Sequence, residues 1–187
     1  MNGVVRERNW YDWVLPGMRL FGLEGGRVKS RTAQIVLTLV SVAGVAIMRS
    51  VRIYLAPPWI FLDPCAIFLY FPALSLPWLA TLPIIVTGGA LGGNQLASTI
   101  GIGTAVQLVY FSSRFLENRG WGKYRLLAIA FGSFIGTFIG AASYAAMGLL
   151  PLEIGAPLVF FRSLISVGLC LAIVPVIWRF LRKRGLI

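Results

Sequence analysis

The sequence predicts an all-α polytopic membrane protein: a six-transmembrane-helix bundle with both termini in the cytoplasm. Three observations support this prediction. Hydrophobic residues make up 58% of the chain, charged residues only 12%, and the charges are clustered. Soluble domains carry about 25% charged residues, so this chain has too little polar surface to cover a globule. Residues 64–113 and 126–152 contain no Asp, Glu, Lys or Arg, and each run exceeds the ~20 apolar residues that cross a bilayer.

The basic residues indicate membrane orientation rather than nucleic-acid binding. The formal net charge is +11, but Lys and Arg lie at the ends of the apolar segments, where they mark the cytoplasmic side and meet anionic lipid. The chain has no histidine, and its two cysteines, Cys65 and Cys170, both fall in apolar segments. Paired carboxylates, a nucleophile motif and an Asp cluster are also missing from the sequence. We therefore expect no metal, no cofactor, no catalytic site and no nucleic-acid partner.

Residues 1–31 are basic and aromatic, which suits a segment on the cytoplasmic membrane surface with its rings at headgroup depth. The alternative is a poorly ordered tail. The transmembrane helical domain follows over residues 32–180, and residues 181–187 form a basic cytoplasmic tail. The first span covers residues 32–48 and is stopped by the arginines that follow it.

Charge parity predicts the number of spans in the middle of the chain. The N-terminal segment, the loop 114–125 and the tail are the most positive segments, so all three are expected in the cytoplasm. After the first span, an odd number of crossings must then precede that loop, and three short spans place the apolar residues best. The alternative is one crossing plus a re-entrant pair shielded by protein. The predicted spans after the first are 59–75, 77–93, 95–113, 126–150 and 157–178.

Small residues four apart predict close helix packing. Gly132, Gly136 and Gly140 form a glycine stripe along the fifth span. Lipid tails are as apolar as the helices, so association depends on close backbone approach, which small residues permit. We interpret the stripe as an intramolecular packing face; the alternatives are dimerisation and docking to a partner. Ala43 and Ala46 provide small residues for a packing or partner interface on the first helix.

Polar and ionisable residues collect at the outer membrane face under this topology. Such groups are unfavourable in a bilayer and indicate functional sites. An externally open pocket for a small molecule needs a few polar groups in apolar surroundings, and the excess of arginine favours an anionic or carboxylate-bearing ligand. The alternative is that Asp63 pairs with an arginine while the others reach lipid headgroups. The predicted substrate-binding residues are Arg52, Trp59, Asp63, Asn94, Gln95, Tyr144, Glu153 and Arg162.

Three stretches of the chain carry a family resemblance. They are "LDPCAIFLYFPAL", where an Asp precedes a span, "STIGIGTAVQLVYFSSRFLENRG", a helix ending in a basic loop, and "FFRSLISVGLCLAIVPVIWRFLRK", a closing helix with a basic tail. These stretches resemble the substrate-binding S components of energy-coupling factor (ECF) vitamin transporters, over most of residues 32–184. The resemblance implies capture of a vitamin-like molecule from outside the cell membrane, without catalysis. Uptake would then be driven by ATP, through a transmembrane T component and two cytoplasmic ATPase subunits.

The resemblance also implies where ligand and partners bind. In the family the ligand is held by outer loops and the outer halves of helices 4 to 6, which here contain Gln95, Tyr144, Glu153 and Arg162. The T component contacts an Ala-x-x-x-Ala pattern on helix 1, from which the small residues of this helix depart. Two other functions stay open. One is a small channel or transporter that oligomerises through the glycine stripe, and the other is a non-catalytic accessory subunit of a larger membrane complex.

Overall fold

The described part of the chain forms six α-helices and one short hairpin. The computed structural model describes residues 27–28, 30–50, 53–56, 60–62, 64–92 and 94–187. The elements are α1 (Arg31–Ser50), β1 (Ile53–Ala56), β2 (Ile60–Leu62), α2 (Cys65–Ser75), α3 (Trp78–Ala90), α4 (Gln95–Asn118), a 3₁₀ helix (Gly122–Tyr124), α5 (Arg125–Ala146) and α6 (Leu152–Lys183).

The predicted helical membrane fold is confirmed in its coarse form, since each predicted span overlaps one α-helix. Four helices, α1, α4, α5 and α6, are long and apolar enough to cross a membrane. The other two have 11 and 13 residues. At 1.5 Å per residue they measure about 16 and 20 Å, which is shorter than the ~30 Å hydrocarbon core of a bilayer.

The structure adds a two-stranded antiparallel hairpin that the sequence analysis did not predict. Ile53 pairs with Leu62 and Tyr54 with Phe61, with a register shift before the next pair. The strands consist of aliphatic and aromatic residues, which favour extended structure, and the sequence between them contains two prolines, which disfavour helix. The predicted second span, 59–75, therefore began too early, and α2 begins at Cys65.

The short helix α2 lies at the centre of the bundle. Every residue of α2 except Phe68 is buried, and the helix packs against α1, α3, α4 and α6. Gly44 of α1 allows the closest of these approaches, because a Cβ atom at that position would overlap the Phe68 ring. Protein rather than lipid thus surrounds α2, and this shielding is what a helix too short to span a bilayer requires.

Helices α2 and α3 form a V whose tip lies beside the C-terminal end of α4. Trp78, at the start of α3, packs on Tyr110 of α4 with ring centroids 6.0 Å apart, while Gly89 near the end of α3 lies against Thr99. Helices α3 and α4 are therefore antiparallel. The tip is fixed through its backbone, because the Ser75 carbonyl accepts a 3.2 Å hydrogen bond from the Val28 N–H.

The glycine stripe lies in the most extensive helix interface, between α4 and α5. Gly132, Gly136 and Gly140 are all buried. A Cβ atom at Gly136 would overlap the backbone of Ala105, and one at Gly132 would approach the Ala105 carbonyl oxygen to 2.8 Å. A Cβ atom at Gly101 of α4 would in turn lie 2.8 Å from the Gly140 Cα. The stripe therefore packs within this chain.

Candidate functional site

Two of the predicted binding residues, Asn94 and Tyr144, meet where α4 begins. The Tyr144 hydroxyl accepts a 2.9 Å hydrogen bond from the Asn94 backbone N–H and shares another of 2.9 Å with the Ser98 hydroxyl. The Asn94 side-chain oxygen caps α4 by accepting from the Ala97 N–H at 3.0 Å, as N-cap asparagines commonly do. These contacts tie the turn before α4 to α5, so both residues have structural partners.

Replacing Tyr144 by phenylalanine is expected to destabilise the protein by about 1–2 kcal/mol. The reason is that the Asn94 backbone N–H and the Ser98 hydroxyl, both part-buried, lose their hydrogen-bond partner. Thermal unfolding in detergent measures this effect. Ser143→Ala is the matched control on the same helix, since the Ser143 hydroxyl only bonds the Ile139 carbonyl of its own helix. Equal melting temperatures for the two variants would contradict the tether.

The remaining predicted binding residues do not join this contact. Gln95 and Glu153 are exposed, and neither side chain makes a hydrogen bond or ion pair with another described residue. Glu153 lies in the first turn of α6, where a carboxylate is stabilised by the N-terminal end of the helix dipole. Arg52, Trp59 and Asp63 lie outside the described residues.

Arg162 instead belongs to a polar cluster inside the bundle, between α2, α5 and α6. Tyr70 of α2 is 4% exposed, and its hydroxyl lies beside that of Ser133 on α5. The Arg162 guanidinium is close enough to Tyr70 for an electrostatic interaction, and so are the thiols of Cys65 and Cys170. The buried Tyr70 hydroxyl therefore has small polar groups beside it and a cation within electrostatic range.

A hydroxyl pair between α5 and α6 continues this cluster. The Thr137 and Ser163 hydroxyls are hydrogen-bonded to each other, and Ser163 is fully buried. Ser133, also fully buried, has no hydrogen bond of standard geometry at its side-chain oxygen among the described residues. Buried polar atoms normally have a partner, and the Tyr70 hydroxyl lies beside this oxygen. We define the core polar cluster by its members: Tyr70, Ser133, Thr137, Arg162 and Ser163.

The sequence contained a weak signal for the core polar cluster. Ser133 and Thr137 are four residues apart and therefore share a helix face. Hydroxyl side chains in membrane helices often bond only to the carbonyl one turn earlier, and Thr137 makes such a bond to the Ser133 carbonyl as well. Tyr70 lies in an apolar run without spacing that indicates a polar partner. The contact from α2 to α5 could only be found from the fold.

A second polar cluster, the ion cluster, lies where α4 ends and α5 begins, at the other end of these helices from the Asn94–Tyr144 contact. Arg114 and Arg125 both pair with the Glu117 carboxylate, the first at 3.0 Å. The two arginine side chains are 9% and 1% exposed and that of Glu117 is 34% exposed. Two buried cations thus share one carboxylate, in a place where the sequence analysis assigned these residues only to a cytoplasmic loop.

The ion cluster connects α4, α5 and α6 with the turn between α2 and α3. The Arg114 guanidinium donates a 3.3 Å hydrogen bond to the Leu76 carbonyl at the tip of the α2–α3 V and lies 5.0 Å from the Tyr110 ring centroid. The Arg125 guanidinium lies 5.7 Å from the ring of Trp178 on α6. Cation–π contacts of this kind help to hold a guanidinium away from water. We therefore assign the ion cluster a structural role.

The two clusters differ in what they can do chemically. The ion cluster already satisfies its carboxylate with two arginines, whereas the core polar cluster offers hydroxyls and a guanidinium that suit a carboxylate, phosphate or amide group. No group of three or more metal-ligating side chains occurs among the described residues. Neither a protein family model, nor a curated protein sequence, nor a solved structure matches this chain, so its function is inferred from these contacts.

Proposed function

We propose that this protein is the substrate-binding subunit of a membrane transporter and captures a small, vitamin-like molecule from outside the cell membrane for ATP-driven uptake. The observation that supports the proposal is the core polar cluster, in which Tyr70, Ser133 and Arg162 come together from three helices. Polar groups inside an apolar bundle are unfavourable without a function or a full set of partners. A few such groups in apolar surroundings are also typical of small-molecule pockets.

The proposed ligand carries an anionic group. Arg162 is half-buried and interacts electrostatically with the Tyr70 hydroxyl. A guanidinium binds a carboxylate or phosphate through two parallel hydrogen bonds. The buried hydroxyls of Ser133 and Ser163 can serve the neutral polar atoms of the same ligand.

The proposed orientation has six crossings and both termini in the cytoplasm. Helix α6 has 32 residues, about 48 Å at 1.5 Å per residue, so its basic last turns extend past a ~30 Å hydrocarbon core. Those turns and exposed Arg119 lie at the end of the bundle that holds the ion cluster, and positive charge favours the cytoplasm. The hairpin, which contacts α6 through β2, then covers the outer end, from which the ligand enters.

The proposed partners are a transmembrane T component and ATPase subunits, with helix α1 as the contact surface. Helix α1 is the least enclosed of the long apolar helices, with 17% of its apolar window buried. Of its two predicted interface residues, Ala43 is exposed and Ala46 half-buried, while the buried side is formed by Ser41, Gly44 and Val45. An exposed small residue allows a second helix to approach closely in lipid.

The channel hypothesis has less support than the binding subunit. It requires the glycine stripe for oligomerisation, but α4 of the same chain packs against that stripe. An oligomer would therefore require another face. No contact among the described residues specifically supports the accessory-subunit hypothesis.

Native mass spectrometry of the detergent-purified protein tests the proposal. We expect one non-lipid molecule bound to each monomer, and we expect Arg162→Ala to lower its occupancy by about tenfold or more, the value of one or two charge-assisted hydrogen bonds. Arg184→Ala is the matched control, because Arg184 is exposed and lies over the Phe180 ring. Thermal unfolding shows that each variant is folded.

Three outcomes would count against the binding subunit. Equal occupancy in the Arg162→Ala and Arg184→Ala variants would place the ligand elsewhere. Ion flux into protein-containing vesicles that lack ATPases would favour the channel. Stoichiometric co-purification with larger proteins, without any bound small molecule, would favour the accessory subunit.

A further inference from the structure

An apolar groove opens on the outside of the bundle between α4 and α5, next to the 3₁₀ turn that joins them. Its volume is about 420 Å³. Its walls carry four strongly exposed side chains, each more than half exposed: Phe111 and Phe115 from α4, Leu127 and Phe131 from α5. The groove lining shares no residue with the core polar cluster.

The end of the groove nearest the 3₁₀ turn is basic. Arg119 is exposed, and its guanidinium lies 5.3 Å from the centroid of the Phe115 ring that forms the groove wall. Arg119 makes no ion pair with a described residue. Trp121, 56% exposed, stands at the same end, where indole rings prefer the headgroup level of a bilayer. The nearby Glu117 carboxylate already pairs with Arg114 and Arg125.

We propose that this groove is a specific site for one anionic phospholipid, with an acyl chain along Phe111, Phe115 and Phe131 and the phosphate at Arg119. Residues 111, 115 and 119 follow one helix face, and eight residues of helix span about 12 Å. That length is close to the hydrocarbon depth of one leaflet, about half of the ~30 Å core. Basic pockets between membrane helices are typical sites for anionic headgroups.

The charge pattern distinguishes this site from ordinary lipid contact. Apolar surface elsewhere on the bundle, such as the exposed face of α1, meets lipid tails of any kind. In the groove, an arginine without an ion-pair partner stands directly over a ring of the wall, so the same molecule can satisfy the charge and cover the rings. A zwitterionic lipid would bring a second cation to Arg119 and is expected to bind more weakly.

The test uses the full chain in mixed micelles with equal amounts of dioleoyl phosphatidylglycerol and dioleoyl phosphatidylcholine, which differ only in the headgroup. Native mass spectrometry should detect one retained phosphatidylglycerol per chain. Arg119→Gln should lower that retention about fivefold, the effect of one basic residue at an anionic surface. Arg184→Gln is the matched control. The Arg184 guanidinium also lies over a ring, 5.5 Å from the centroid of Phe180, but Arg184 does not line the groove.

A second variant tests the apolar part of the site. Leu127→Trp should fill the groove and reduce retention of both lipids, whereas Val176→Trp, at a 63% exposed position on α6, should not. Equal retention of the two lipids by the unmodified protein would overturn the proposal. So would equal losses in the Arg119→Gln and Arg184→Gln variants. None of these variants alters the core polar cluster, so the result is independent of the proposed substrate binding.

Discussion

Replacing Gly136 by leucine is expected to lower the free energy of unfolding by about 3 kcal/mol or more, the upper range of overpacking. The melting temperature in detergent should then fall by about 6–12 °C for a chain of this size. A Cβ atom at Gly136 would overlap the backbone N and Cα atoms of Ala105. A backbone cannot rotate away as a side chain can, so α4 and α5 would have to separate along their whole interface.

Gly168→Leu is the matched control for this prediction. Gly168 also lies within a long membrane helix, α6, but it is exposed and a Cβ atom there would have no heavy atom within 4 Å. Its replacement should leave the melting temperature unchanged or raise it, since leucine is a better helix former than glycine. If the Gly136→Leu and Gly168→Leu proteins had the same melting temperature, α4 and α5 would not pack as described.

The same interface bears on oligomerisation. In lipid, helices associate where small residues let backbones approach, and one face can serve only one neighbour at a time. Gly136 already faces Ala105 of its own chain. A dimer through the glycine stripe would therefore require the loss of the α4–α5 interface first.

The helices could be predicted from the sequence because the physical signals are local. Charge-free runs identify the spans, and glycines four apart identify the closest interface. The hairpin was missed because its residues are as apolar as those of a span, and an apolar run alone does not distinguish helix from strand. The local indications were Pro64 and the two prolines between the strands, Pro57 and Pro58.

The candidate site was harder to predict because its contacts join distant parts of the chain. Arg162 was assigned to the outer face from its position along α6, while its neighbour Tyr70 on α2 lies in a run of apolar residues. Asn94 and Tyr144 were both predicted to bind a ligand, but hydrogen bonds within the chain occupy groups that a ligand would use. Side-chain partners of this kind follow from the packing of helices, which the periodicity of single segments does not determine.

Replacing Glu117 by glutamine is expected to cost about 3 kcal/mol of folding free energy. This is the lower end of the range for removing one partner of a buried ion pair, because the Glu117 side chain is 34% exposed. Arg114 and Arg125 would then remain buried without the Glu117 carboxylate. The expected fall in melting temperature is about 6–12 °C. Glu153 is exposed, so the Glu153→Gln variant should have the same melting temperature as the unmodified protein.

The double variant Glu117→Gln, Arg125→Gln decides whether charge is the cause. If the loss comes from two uncompensated cations, removing one of them should recover part of the melting temperature lost in Glu117→Gln, which is a non-additive effect expected for residues in one network. If the loss came only from the shape of the site, the falls in melting temperature of the two single variants would add in the double variant. A non-additive result would therefore assign the loss to the charges of the ion cluster, whose remaining cation, Arg114, also donates to the Leu76 carbonyl.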